Sequence, residues 1–244
     1  MTPAAEATTP RRRLPVDERR SLLLELGLRL FGARGLDEVS VEDIAREAGV
    51  SAGLLYHYFG SKREFHHEVT AHALRRLTAA TEPDRTRPPG ERLVAGLVAY
   101  LEHLRADTTG WSWLLRGGGS GDERVWAIGE AYRRSIEEWV YEVLPGPART
   151  PLTRLAVRGW IGSNTETALA WLDTLPGAAG GATRDTPAGL SAGSAPDAGS
   201  PSLAAVVRLM VTVLVASLDA AGVDAGLLAR LRAEADHALA ALPV

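Results

Sequence analysis

Apolar residues recur along this chain at helical rather than alternating spacing. From Leu14 to about Thr81 they form three short helical periods separated by turn signals. Residues 82–90, with Pro83, Pro88 and Pro89, interrupt the pattern and mark the expected boundary between a first domain, 14–81, and a second, 91–244. In the second, Leu93, Leu97, Tyr100, Leu101 and Leu104 form one helical stripe, and Ile128, Tyr132, Ile136, Trp139 and Val143 form another. A glycine-rich flexible connection, 117–121, lies between them. Residues 145–151 precede a helix that runs to about Leu175. The stretch 176–201, rich in Gly, Ala, Ser and Pro and without a period, is expected to be a disordered loop. Helices over 202–221 and 224–242 close the chain. No segment has alternating, β-branched strand character bounded by hairpin turns, so the predicted class is all-α.

Composition narrows what such a fold can do. The 244 residues are 45% hydrophobic and 23% charged, enough for a substantial core. A net charge of -3 gives no global attraction to nucleic acid, but residues 1–80 carry +1 and the remainder -4. There is no cysteine, which excludes disulfide scaffolds, thiol catalysis and thiolate metal sites. Lys62 is the only lysine, and its sequence context is not that of a phosphate-binding loop. Residues 1–13 contain no apolar run and read as a flexible basic arm, with Arg11, Arg12 and Arg13 either reaching a minor groove or staying solvated. The most apolar stretch, 203–218, is shorter than the ~20 residues a spanning helix needs and reads as a buried helix. The expected setting is cytoplasmic, without a membrane.

The chemistry lies between Val39 and Lys62. Ser40 followed by Asp43 has capping-box spacing, with Glu42 and Asp43 at the positive end of the helix they open. Val41, Ile44, Ala45 and Ala48 make its apolar face, and Gly49 can take the left-handed conformation that ends it. Ser51 then caps a second short helix, and Ser61, with Glu64 three residues on, caps a third. Two helices joined by a turn of about three residues form a helix-turn-helix, whose second helix enters a major groove. The small Ala52 and Gly53 at its start let backbone approach DNA. Tyr56, His57 and Tyr58 offer hydrogen-bonding and stacking groups, and Lys62 offers a charge near a helix N-terminus suited to phosphate.

Phe31, Gly35, Ile44, Ala45, Ala48 to Ser51, Gly53, Leu55, Tyr56, Tyr58, Phe59, Ser61 and Lys62 together resemble the signature of the tetracycline-repressor (TetR) family, over roughly 19–69. The resemblance implies an N-terminal three-helix DNA-binding domain. It also implies a variable all-helical C-terminal domain that dimerises and usually holds an inducer. On that resemblance Tyr56 and Tyr58 touch DNA, Lys62 and Ser51 meet phosphate, and Gly53 and Leu54 lie against bases. His57 is either a base or phosphate contact or a bystander. Gly27 departs from the family, where a helix former such as Ala is usual, and is expected to cost about 1 kcal/mol of local stability.

All six tryptophans fall within 111–171. Trp111, Trp113, Trp126, Trp139, Trp160 and Trp171 either fill a core or, as a group, line an apolar ligand pocket, with Asn164 and Thr167 supplying polarity. The small residues Ala156, Gly159, Ser163, Thr167 and Ala170 form a stripe that, with the apolar run 206–215, suits a helical homodimer interface or packing within the chain. His66, His67 and His72 lack metal-site spacing and read as surface histidines. Ser120 does not sit in a nucleophile elbow. No catalytic residue, metal or cofactor is expected. The reading is a dimeric repressor of a near-palindromic double-stranded operator, released by a small lipophilic or aromatic effector. A regulator without such an inducer, or an activator, is the alternative.

Overall fold

The computed structural model describes residues 15–118, 121–176 and 199–242. The arm at 1–13, Ser120 and nearly all of the loop at 176–201 lie outside the described residues. Among those described, every regular element is helical. They are α1 (Val16–Arg34), α2 (Val41–Ala48), α3 (Ala52–Phe59), α4 (Lys62–Ala80), α5 (Pro89–Arg105), α6 (Thr108–Leu115), α7 (Glu123–Glu142), α8 (Pro151–Asp173), α9 (Leu203–Ala220) and α10 (Ala225–Ala240), with one 3-10 turn at Gly146–Ala148.

Caps explain most of the boundaries. Ser40, Ser51, Ser61, Asp107, Asp122, Thr150, Ser202 and Asp224 each accept a hydrogen bond from a backbone N–H in the first turn of the helix they precede. The pattern of apolar residues did not reveal α6. Its run Thr108, Thr109, Gly110 has low helix propensity, and the turn is held by Asp107 accepting from Gly110 N at 2.9 Å.

α1 to α4 pack as one group and α5 to α10 as another, joined through 81–88. The buried core nevertheless continues across the join, because α1 packs on α6 and α4 on α7. Glycine sets how closely these helices meet. A Cβ at Gly32 would lie 2.7 Å from the Gly110 backbone, so α1 and α6 cross glycine to glycine. Gly27 is a close-packing residue rather than a weak point. A Cβ there would lie 2.6 Å from Val69 Cγ2 and 2.7 Å from Phe65 Cζ, so the expected gain from a helix former is overridden by the α1–α4 approach.

α9 is long and apolar enough to cross a membrane by length and composition. Here Val207, Met210, Leu214 and Leu218 are buried, and α9 packs against α5, α8 and α10. It is not wholly buried, as the sequence suggested: Arg208, Leu209, Thr212 and Ala216 remain exposed. α8, packed beside it, likewise exposes Leu152, Leu155, Gly159 and Gly162, and among the described residues no atom outside the helix's own backbone lies within 4 Å of a Cβ built at either glycine.

Candidate nucleic-acid interface and ligand cavity

The helix pair α2–α3 is closed by local hydrogen bonds. Asp43 N donates to Ser40 Oγ at 3.0 Å, and the Asp43 carboxylate accepts from Ser40 N at 3.0 Å and Ser40 Oγ at 2.7 Å. These bonds, Arg46 and the nearby Arg34 hold the Asp43 carboxyl well below the usual carboxylate range. Gly49 takes the left-handed conformation at φ 64°, and Val50 N donates back to Ala45 O at 2.9 Å. Ser51 Oγ then accepts from Leu54 N at 3.2 Å to start α3.

Leu55 and Phe59 seat α3 in the core, Phe59 meeting Phe65 edge to face with centroids 4.8 Å apart. With that face buried, Ser51, Gly53, Tyr56 and His57 point to solvent, and Ala52, Leu54, Tyr58 and Lys62 are half-buried beside them. Tyr56 is 48% exposed, unusual for so large a ring. A Cβ at Gly53 would meet only Ser51 Oγ, at 3.9 Å, so packing within the chain does not require glycine there. Lys62 Nζ lies 3.5 Å from Asp37 O, at the start of α4.

The second group of helices, with Thr81 and Pro83 before it, forms a half-open cavity of about 140 Å³. α5 contributes Arg92, Leu93, Gly96, Leu97 and Tyr100; α7 contributes Tyr132, Ile136, Trp139 and Val140; α8 contributes Trp160, Ile161, Asn164 and Thr165. Leu214 and Leu231 close it from α9 and α10. Burial pushes the Tyr100 and Tyr132 hydroxyls above their ordinary range, and Tyr100 lies beside Thr165. Asn164 is only 8% exposed, and its Oδ1 has no hydrogen-bond partner. α7 is fastened to α8 outside the cavity by Arg158, which pairs with Glu130 and with Glu137 at 2.7 Å.

Of the eight residues expected to bind ligand, Trp139, Trp160 and Asn164 line this cavity. The other five stand elsewhere. Trp111 is buried edge-on to His103, and Trp171 donates to Pro201 O at 3.0 Å. Trp113 packs on Phe31 and His66 between the two helix groups. Trp126 is 62% exposed, and Thr167 lies half-buried off the cavity. Proximity in sequence grouped residues whose helices turn them in different directions. Tyr100, Tyr132, Arg92 and Thr165 were not among the expected residues, although Tyr100 and Tyr132 belong to the two apolar stripes that face the space.

Of the three histidines expected at the surface, His72 is half-buried and the other two are buried. His66 and His67 are 1% and 4% exposed, because α4 is covered by the segment that leads into α7. His66 Nε2 donates to Gly118 O at 2.9 Å, and burial holds the ring neutral by pushing its pKa down. His67 Nε2 lies 2.8 Å from Asp122 Oδ2, which also accepts from Arg63 Nε at 2.8 Å. Arg124 pairs with Glu64 at 2.7 Å beside them. Asp122 also caps α7, so one carboxylate ties that helix to α4. Among the described residues no group of three His, Asp or Glu side chains is placed to hold a metal.

Exposed residues on a core-seated second helix define a helix-turn-helix protein, here with a separate cavity-bearing helical body. Residues 23–69 match the family model for bacterial regulatory proteins, tetR family, and residues 89–179 match the tetracyclin repressor-like C-terminal domain. The chain belongs to the TetR family. A crystal structure of a tetR-family transcriptional regulator from Streptomyces coelicolor superposes with TM-score 0.63 and 27% identity over 94% of this chain and 92% of that one. The transcriptional repressor KstR2 of Mycobacterium tuberculosis is 42% identical over 91 residues, 36% of this chain and 46% of that protein. The transcriptional activator FasR of Mycolicibacterium smegmatis is 25% identical over 165 residues, 66% of this chain and 75% of that one. In the relatives of 40% identity or more, the match spans less than half of the relative's own length.

Proposed function

We propose that this chain is a dimeric transcriptional repressor that binds a near-palindromic operator through α3 and is released by a small effector held between α5, α7 and α8. The observation that carries this reading is the double role of α7. Its middle and C-terminal half line the cavity, and its N-terminal cap, Asp122, is bonded to Arg63 and His67 on the helix that follows α3. An effector that favours one position of α7 thereby favours one placement of the DNA-binding helices, the condition for coupling two sites.

The exposed apolar stripes of α8 and α9 support dimerisation through a bundle of four helices. Two α3 helices in such a dimer read half-sites about 34–36 Å apart. Ser51, Gly53, Tyr56 and His57 face the duplex, with Ala52, Leu54, Tyr58 and Lys62 at the margin. Trp139, Trp160 and Asn164 face the effector, together with Tyr100 and Tyr132. A protein acting on an operator works in the cytoplasm.

The test is fluorescence anisotropy of the purified protein on DNA from its own upstream region, at several salt concentrations because phosphate contacts make affinity salt-dependent. Selective binding to a near-palindrome at two protomers or more per site supports the reading; equal affinity for scrambled DNA overturns it. The relatives include a named repressor and a named activator, so a reporter assay with the gene deleted decides the sign of regulation.

A further inference from the structure

The cavity wall is mostly apolar; besides the hydroxyls of Thr81, Tyr100, Tyr132 and Thr165, it carries an unsatisfied buried group at two places. At one, Arg92 has its Nε buried and without a hydrogen-bond partner. At the other, Asn164 has its Oδ1 buried and unpartnered. Burying a polar atom without a partner is costly, so such atoms in a cavity wall point to a ligand that completes them.

Their separation follows from the fold. Arg92, Gly96 and Tyr100 occupy successive turns on one face of α5, all in the cavity wall. Tyr100 lies beside Thr165, the neighbour of Asn164 on α8, in the same wall. Arg92 therefore stands about 12 Å along α5 from the level of Asn164. Between them the wall is Leu97, Tyr132, Ile136, Trp139 and Trp160. A space of about 140 Å³ has room for roughly ten non-hydrogen atoms.

Resting on the reading of this cavity as the effector site, we infer that the effector is a carboxylic acid of about ten non-hydrogen atoms, its carboxylate on Arg92 and a hydroxyl at its far end on Asn164. A guanidinium matches a carboxylate by charge and by paired donors. A hydroxyl suits an amide because it both donates and accepts, so it satisfies Asn164 whichever way the amide is turned. The aromatic and aliphatic wall takes the apolar body and leaves no other charge to compensate a second ionised group.

The test uses the full-length protein and isothermal titration calorimetry with three probes: 8-hydroxyoctanoate, octanoate and methyl 8-hydroxyoctanoate. The expected order is hydroxy acid first, with octanoate and the methyl ester each at least tenfold weaker. Arg92→Gln is expected to make acid and ester equal, and Asn164→Leu to make octanoate bind at least as well as the hydroxy acid. An ester that binds wild-type protein as well as its acid overturns the inference. So does an Arg92→Gln variant that keeps the acid preference, or no binding of any probe. Should Asn164→Leu fail to fold, the wild-type ratio of hydroxy acid to octanoate reads the same contact, and equality overturns it. Operator anisotropy on the same preparation separates the two readings. DNA binding without acid binding overturns the effector class alone. Acid binding without DNA binding supports the effector class and overturns the proposed function.

Discussion

The helix pair α2–α3 and the cavity between α5, α7 and α8 are built on different scales. The pair occupies twenty residues, is capped at each start by a serine, and is seated by Val41, Ile44 and Ala45 of α2 and Leu55 and Phe59 of α3. The cavity draws its wall from residues 81 to 231. A locally closed unit keeps its shape wherever it is carried. A wall assembled from six helices changes shape when any of them shifts, which a ligand-responsive part would require and a DNA-reading part must avoid.

The sharpest way to break this contrast is truncation. Phe59→Ala removes the seat of α3 and is expected to cost ~3–5 kcal/mol in urea denaturation, together with all operator binding. Trp139→Ala removes a larger ring from a wall that already faces empty space, and is expected to cost less than half as much. Equal losses would show that the cavity wall is as tightly packed as the seat of α3.

Gly27→Val comes next. The added side chain collides with Val69 and Phe65, and overpacking of this kind costs about 1–3 kcal/mol, against any gain in helix propensity. A thermal melt unchanged or raised by Gly27→Val would show that α1 and α4 can separate without penalty. This site also shows what the sequence hides. The capping serines, Gly49 and the apolar face of α2 were legible because each acts within four residues of itself. Gly27 was misjudged because its reason for being glycine lies about forty residues away, on α4. The same limit applies to His66 and His67, whose cover comes from Gly118 and Asp122. It applies to the tryptophans too, which cluster in sequence but are turned by their helices toward separate places. α6 escaped notice because an aspartate cap, rather than its own residues, makes it a helix.

The join between the two regions is tested by Asp122→Ala. This change removes the carboxylate shared by Arg63, His67 and the start of α7, and leaves α3 and the cavity wall untouched. Operator affinity without effector is expected to stay within about threefold, while the coupling, about 1–3 kcal/mol in typical regulators, falls toward zero. Anisotropy titrations with and without a bound effector measure it. Unreduced release in this variant would place the coupling in the α1–α6 contact instead.

On the proposed DNA-binding face, Lys62→Ala is expected to weaken operator and scrambled DNA alike and to lower the slope of log affinity against log salt by about one. Tyr56→Ala is expected to leave stability within about 0.5 kcal/mol, since the ring is largely exposed, and to weaken operator binding by ~1–3 kcal/mol. Loss of stability without loss of affinity would make Tyr56 a packing residue.

The smallest change separates the two uses of glycine in this protein. At Gly27 a methyl group has nowhere to go; at Gly53 it meets nothing closer than 3.9 Å. Alanine in a helix is favoured over glycine by about 0.8–1.0 kcal/mol, so Gly53→Ala is expected to raise the unfolding free energy by up to that amount. A glycine kept where the fold would be steadier without it has its reason outside the chain. If that reason is close approach of the α3 backbone to DNA, the more stable variant binds the operator more weakly, and anisotropy beside a urea melt shows opposite signs. Should stability and affinity rise together, Gly53 does not lie against the duplex, and α3 meets DNA along the Tyr56 and His57 side instead.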